Sequence, residues 1–139
     1  MPLFQLQILK FQYENPEHEL LIEFLKNNGR TLKEFYAGCS ENSLNLAIAE
    51  FCPNLRKLFT ISDKPEVLKK IFNNCQYLES IKIWCGDYYL SENDLLEVVA
   101  EYSPRNFHEL KLCYRKIKIL FYKLDKSYTS KVTLFYYYL

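Results

Sequence analysis

Seven residues of this 139-residue chain have the chemistry for nucleophilic or metal-binding work: Cys39, Cys52, Cys75, Cys85, Cys113, His18 and His108. A thiolate nucleophile needs a base beside it and a group that orients the base. A zinc site needs ligands at spacings such as Cys-x-x-Cys or His-x-x-x-His, and neither spacing occurs. His108, in Phe107-His108-Glu109, is the one candidate base for Cys85 or Cys113. It falls at a variable position of a repeat and reads as a surface or turn histidine. Gly29, Gly38 and Gly86 are isolated and build no phosphate-cradling loop. Glu92 and Asp94 read as acids at a helix start, where the dipole favours them without any catalytic duty. The chain is expected to be no enzyme, with no metal and no cofactor.

Five cysteines at irregular spacing cannot complete a disulfide framework, so reduced thiols and a cytoplasmic or nuclear location are expected. Met1 to Lys10 lacks the basic start and continuous apolar run of a signal peptide. No window approaches the ~20 apolar residues of a membrane span. With 49% hydrophobic residues and a net charge of +1, the whole chain offers no excess charge to attract an anionic partner over distance.

The elements that would position these residues are organised by a repeat. Leu32-Lys33-Glu34-Phe35, Leu55-Arg56-Lys57-Leu58 and Leu78-Glu79-Ser80-Ile81 share a Leu-x-x-apolar form at a spacing of 23 residues. Phe107-His108-Glu109-Leu110 follows after 29, and Leu3-Phe4-Gln5-Leu6 precedes by 29. Ahead of the anchors stand Leu21 and Leu25, Leu44 and Ile48, Val67 and Ile71, then Leu95 and Val99. Spacing of i, i+4 puts each pair on one helix face. The last pair lies one residue further from its anchor, which an extra residue near Ser103-Pro104 explains. Asn15-Pro16-Glu17, Asp63-Lys64-Pro65-Glu66 and Ser91-Glu92-Asn93-Asp94 read as helix openers. Gly29, as a left-handed cap, together with Cys52-Pro53 and Ser103-Pro104, closes helices. Each module is therefore helix, turn and short strand, at a period within the ~20 to 29 of leucine-rich repeats.

Phe51-Cys52-Pro53-Asn54-Leu55-Arg56-Lys57-Leu58 resembles the signature of cysteine-containing leucine-rich repeats, the kind found in fungal-type F-box proteins. Asn74-Cys75-Gln76-Tyr77-Leu78 is a second copy without the proline, and Gly29 takes the cysteine position in the first module. The resemblance implies an α/β leucine-rich-repeat solenoid: a short arc with a parallel sheet on the concave face and helices on the convex face. It also implies a protein–protein interaction module, similar to the substrate-recognition repeats of an F-box ubiquitin-ligase subunit. The F-box itself is absent from this chain, so the adaptor subunit of such a ligase is expected as a partner only if an F-box exists upstream. Residues 1–113 form the repeat domain, with strands starting near Leu3, Leu32, Leu55, Leu78 and Phe107.

Alternation along a strand sends the residues between the buried positions to the concave face. The expected partner-binding residues are Glu34, Tyr36, Lys57, Phe59, Lys82, Trp84 and Lys111, with Gln5, Gln7, Ser80 and Glu109 around them. Tyr36, Phe59, Lys82 and Lys111 would form one column. Aromatic and cationic side chains of this kind supply binding hot spots, and the competing reading has Phe59 and Trp84 covered by a loop or the tail. Cys52 and Cys75 are expected to be buried in the helix-to-strand turn.

Residues 114–139 form a non-repeating basic and aromatic tail or cap. From Lys111 onward there are seven basic residues and one acid, Asp125, for a net charge of +6, which leaves the first 110 residues at −5. The alternative readings are a binder of nucleic acid or of a membrane surface that depends on this tail, or a truncated fragment without independent function. The near-neutral whole chain and the demand of an open repeat end for a cap speak against nucleic acid.

Overall fold

A computed structural model describes residues 5–11, 16–37, 41–86, 88–114 and 132–138. Helix and strand alternate from the first strand to the fifth. The order is β1 (Ile8–Lys10), α1 (His18–Asn28), β2 (Glu34–Tyr36), α2 (Asn42–Phe51), β3 (Lys57–Thr60), α3 (Pro65–Asn74), β4 (Ser80–Cys85), α4 (Glu92–Tyr102), β5 (Glu109–Tyr114) and β6 (Thr133–Tyr138). The strands form one sheet in sequence order, β1 to β6, and every neighbouring pair is parallel. Parallel neighbours require a crossover between them, and α1 to α4 supply the crossovers from β1 through β5. Each helix packs against the next, so the fold is α/β with four helices and a six-stranded parallel sheet among the described residues. None of these helices is long and apolar enough to cross a membrane.

The core lies between the helices and one sheet face. The paired helix positions Leu21 and Leu25, Leu44 and Ile48, Val67 and Ile71, and Leu95 and Val99 are all buried, as are the anchors Leu32, Leu55, Leu78 and Phe107. From the strands, Phe35, Leu58, Ile81, Ile83, Leu110 and Leu112 meet them. Period-two alternation then leaves Glu34, Tyr36, Lys57, Phe59, Lys82 and Trp84 on the opposite face, none of them buried. Parallel sheets in compact α/β proteins are usually covered on both sides. Here one side is open among the described residues.

Helix boundaries correct several details. Of the three expected openers only Ser91 acts as a side-chain cap, its hydroxyl accepting from the Asp94 amide at 3.2 Å. Pro65 opens α3, but Lys64 precedes it as cap residue without a side-chain bond, and the Ser62 hydroxyl takes the Lys64 amide instead. The cap before α1 is Glu17, also without a side-chain bond, and Asn15 lies outside the described residues. Gly29 is not a left-handed cap: its φ is −66°. A Cβ there would stand 2.4 Å from the Phe51 carbonyl oxygen and 3.1 Å from the Cys52 sulfur, so close approach of the next module's turn is what demands glycine.

The first strand also differs from the expectation. It is Ile8–Lys10, and its register places Ile8 beside Glu34 and Leu9 beside Phe35. Leu6-Gln7-Ile8-Leu9 therefore takes the place expected of Leu3-Phe4-Gln5-Leu6, a three-residue slip, and residues 1–4 lie outside the described residues. The sheet decides the register, because only this phase turns Leu9 toward the core and leaves Ile8 on the open face, 48% exposed. At the fourth module the cap residue Ser103 stands four residues before Phe107, where Cys52 and Cys75 stand three before their leucines. The extra residue is in this turn.

The period vanishes after Cys113, yet the sheet gains one more strand. Thr133–Tyr138 pairs with the whole of β5 in parallel register. Leu134 and Tyr136 turn to the core side, where they are partly buried.

Candidate functional site

The open sheet face is built of aligned columns. One column runs Ile8, Glu34, Lys57, Ser80, Glu109, Thr133; the next runs Lys10, Tyr36, Phe59, Lys82, Lys111, Phe135. Trp84, Cys113 and Tyr137 form a third, shorter one. Parallel in-register pairing brings Tyr36, Phe59, Lys82 and Lys111 into the single column expected from the sequence, with Glu34 and Lys57 alongside. Trp84 stands one step up β4.

Cations and aromatic rings interleave on this face. The Lys10 ammonium lies 4.6 Å from the Tyr36 ring centre, and that of Lys82 lies between two rings, 5.3 Å from Phe59 and 5.1 Å from Tyr137. Such pairs contribute about 0.5–1 kcal/mol each at exposed sites, and they hold long lysine stems flat against the sheet. Tyr36 donates its hydroxyl to Glu34 Oε1 at 2.6 Å. Burial, and then that bond, push the phenol up to about 12. Glu109 accepts from the Ser80 hydroxyl at 2.8 Å and faces the Lys111 ammonium at 3.2 Å. The Ser80 bond, ahead of Lys111, holds its carboxyl below the usual carboxylate range. Trp84 rests against Tyr89, with ring centres 6.1 Å apart.

The face thus has its acids engaged within the sheet, while Lys57 enters no ion pair among the described residues. Phe135 and Tyr137 keep 39% and 37% of their surface exposed. Sequence reasoning missed Lys10, Phe135 and Tyr137. Lys10 was hidden by the slipped phase of the first strand. The two aromatics follow a stretch in which no leucine period announces a strand, although the run of β-forming residues Thr133-Leu134-Phe135-Tyr136-Tyr137 was itself a strand signal.

The four described thiols are free and buried. Cys52 and Cys75 cap α2 and α3 and are fully buried, the Cys75 thiol donating to the Cys52 carbonyl at 3.3 Å. Burial pushes both up to about 12, and Cys85, whose thiol donates to the Leu90 carbonyl at 3.2 Å, up to about 11. Cys113 is raised by burial as well, against the pull of Lys82. A thiol that stays protonated is a poor nucleophile. Cys39 and Gly38 lie outside the described residues, as do Arg115 to Lys131 with most of the basic tail. Among the described residues no three His, Cys, Asp or Glu side chains gather as a metal site, and His108 bonds through Nδ1 to the nearby Asn106 carbonyl at 2.9 Å.

Two groups outside the open face also shape it. Glu92, the first residue of α4, accepts from the Tyr114 hydroxyl at 2.5 Å and from the Tyr136 hydroxyl at 3.0 Å, so one carboxylate ties β5 and β6 to the helix layer. Asn45, buried inside α2, donates to the Ile61 carbonyl at 2.8 Å and accepts from the Thr60 hydroxyl at 2.5 Å, fixing the end of β3. Compared with models of known protein families and with curated proteins, the chain matches none.

Proposed function

We propose that the protein is an interaction module that docks a protein partner on the open face of its sheet, through Tyr36, Phe59, Lys82, Trp84 and Lys111 with Glu34 and Lys57 at their side. The observation that carries this reading is the column Lys10, Tyr36, Phe59, Lys82, Lys111 and Phe135, which sets lysines beside aromatic rings across six parallel strands, with no covering helix among the described residues. Rigid strands hold these side chains at a fixed spacing of about 4.8 Å, and rings and cations of this type dominate interface energetics. Lysines resting on rings, together with Lys57, which enters no ion pair among the described residues, suit a partner surface that presents carboxylates around an apolar patch.

The sequential parallel order and the cysteine-containing turns support reading the fold as a leucine-rich-repeat arc. On that reading the partner is a protein destined for ubiquitination, as in the F-box proteins that Phe51 to Leu58 resembles, and this chain performs no chemistry itself. Replacing Tyr36, Phe59, Lys82 and Trp84 together by Ala, with the fold followed by circular dichroism, tests the face. Loss of the partner from a pull-down with the far-ultraviolet spectrum unchanged is expected. Undiminished binding would remove the site assignment.

A further inference from the structure

A second basic surface lies at the end of the sheet where the strands begin. A cleft of about 330 Å³ opens there, beside the turns that lead into β1, β2 and β3. Arg30, Lys33 and Arg56 line it together with Gln5, Gln7 and Tyr77, the last 58% exposed. No carboxylate is among the described residues that line it. Among the described residues the three cationic head groups also enter no ion pair, although Glu79 follows Arg56 in the same row of the sheet.

The walls are fixed by bonds between modules. The Thr31 hydroxyl donates to the Leu6 carbonyl at 2.8 Å and the Asn54 amide donates to the Arg30 carbonyl at 2.6 Å. Backbone bonds from Lys33 to Gln7 and from Arg56 to Lys33 set the main chains of Lys33 and Arg56 on neighbouring strands. Three like charges gathered without a counter-charge repel one another, so the arrangement favours an anion that bridges them. Guanidinium groups match phosphoryl oxygens with paired N–H donors, the amides add neutral donors, and Tyr77 offers a ring beside them.

We infer that this cleft binds a phosphate monoester, with the phosphoryl group between Arg30, Lys33 and Arg56 and the esterified group against Tyr77. The site is separate from the open face and does not depend on the protein-docking reading. A phosphorylated serine side chain and a free nucleotide share this chemistry.

The test is a titration of the full chain at constant ionic strength, followed by amide shifts in nuclear magnetic resonance. Its three probes are inorganic phosphate, adenosine monophosphate and a short neutral peptide carrying phosphoserine. Saturable shifts at Gln7, Lys33 and Tyr77 are expected with all three, and the ester that binds more tightly than inorganic phosphate identifies the source. In the double variant Arg30→Gln/Arg56→Gln the affinity should fall at least tenfold, while Lys70→Gln, an exposed cation on α3, should bind as before. Both arginines are exposed, so the double variant keeps its fold, and dispersion of the same spectra checks this. Absence of saturable shifts with every probe, or an equal loss in Lys70→Gln and the double variant, would overturn the proposal.

Discussion

Gly29, Asn45 and the buried cysteines each act through a single local requirement. At Gly29 the requirement is space. The Gly29→Ala methyl would meet the Phe51 backbone, and forcing the turn apart should cost about 1–3 kcal/mol, read as a lower denaturant midpoint with an unchanged slope. Asn45→Ala would strand the buried Thr60 hydroxyl and the half-buried Ile61 carbonyl, a loss of about 1–3 kcal/mol. For the thiols the sign follows from linkage. Cys52 and Cys75 hold their protons up to about 12 when folded, against 9.0 ordinarily, so above pH 9 the unfolded chain releases protons that the folded chain keeps. Stability contributed by these thiols is full below pH 9 and declines as pH rises toward 12. Iodoacetamide at pH 8, with peptide mass mapping, should therefore modify Cys52, Cys75 and Cys85 only after denaturant is added. Fast labelling of the native chain would contradict their packing.

Among the elements, the helices were the most legible in the sequence, because i, i+4 pairs such as Leu44 and Ile48 are dictated by burial alone. The strand phase was equally plain wherever a leucine anchor stood three residues past a turn. It failed at the first strand, where Leu3, Leu6 and Leu9 fit the same spacing and only pairing with β2 selects among them. It failed again at β6, whose six residues lack an anchor and are placed by β5 and by the Tyr136 bond to Glu92. Caps were legible in type but not in mechanism: Ser91 bonds as expected, whereas Gly29 is required by the neighbouring turn. The role given to Glu92 yields an element-scale prediction. Glu92→Ala removes the acceptor shared by Tyr114 and Tyr136 and should loosen β6 before the rest. Hydrogen exchange of Thr133 to Tyr137 should then quicken selectively, and uniform acceleration across all strands would contradict this link.

At the scale of the whole molecule, one sheet serves two surfaces with different chemistry. The helix side is sealed by apolar side chains, and the open side carries lysines laid on rings. The column of Tyr36, Phe59, Lys82 and Lys111 was readable because in-register parallel strands repeat the sequence period in space. The basic cleft of Arg30, Lys33 and Arg56 was not, since its residues occupy turn positions that no hydropathy pattern marks and converge only when three modules stack. The proposed docking puts partners on the open face rather than on the helices. The most direct test places a photo-crosslinking benzoylphenylalanine at Phe59, and separately at Leu20, which is exposed on α1, and identifies the protein trapped from each. One recurrent protein crosslinked from Phe59 and none from Leu20 is expected, whereas a recurrent protein trapped from Leu20 and not from Phe59 would contradict docking on the open face.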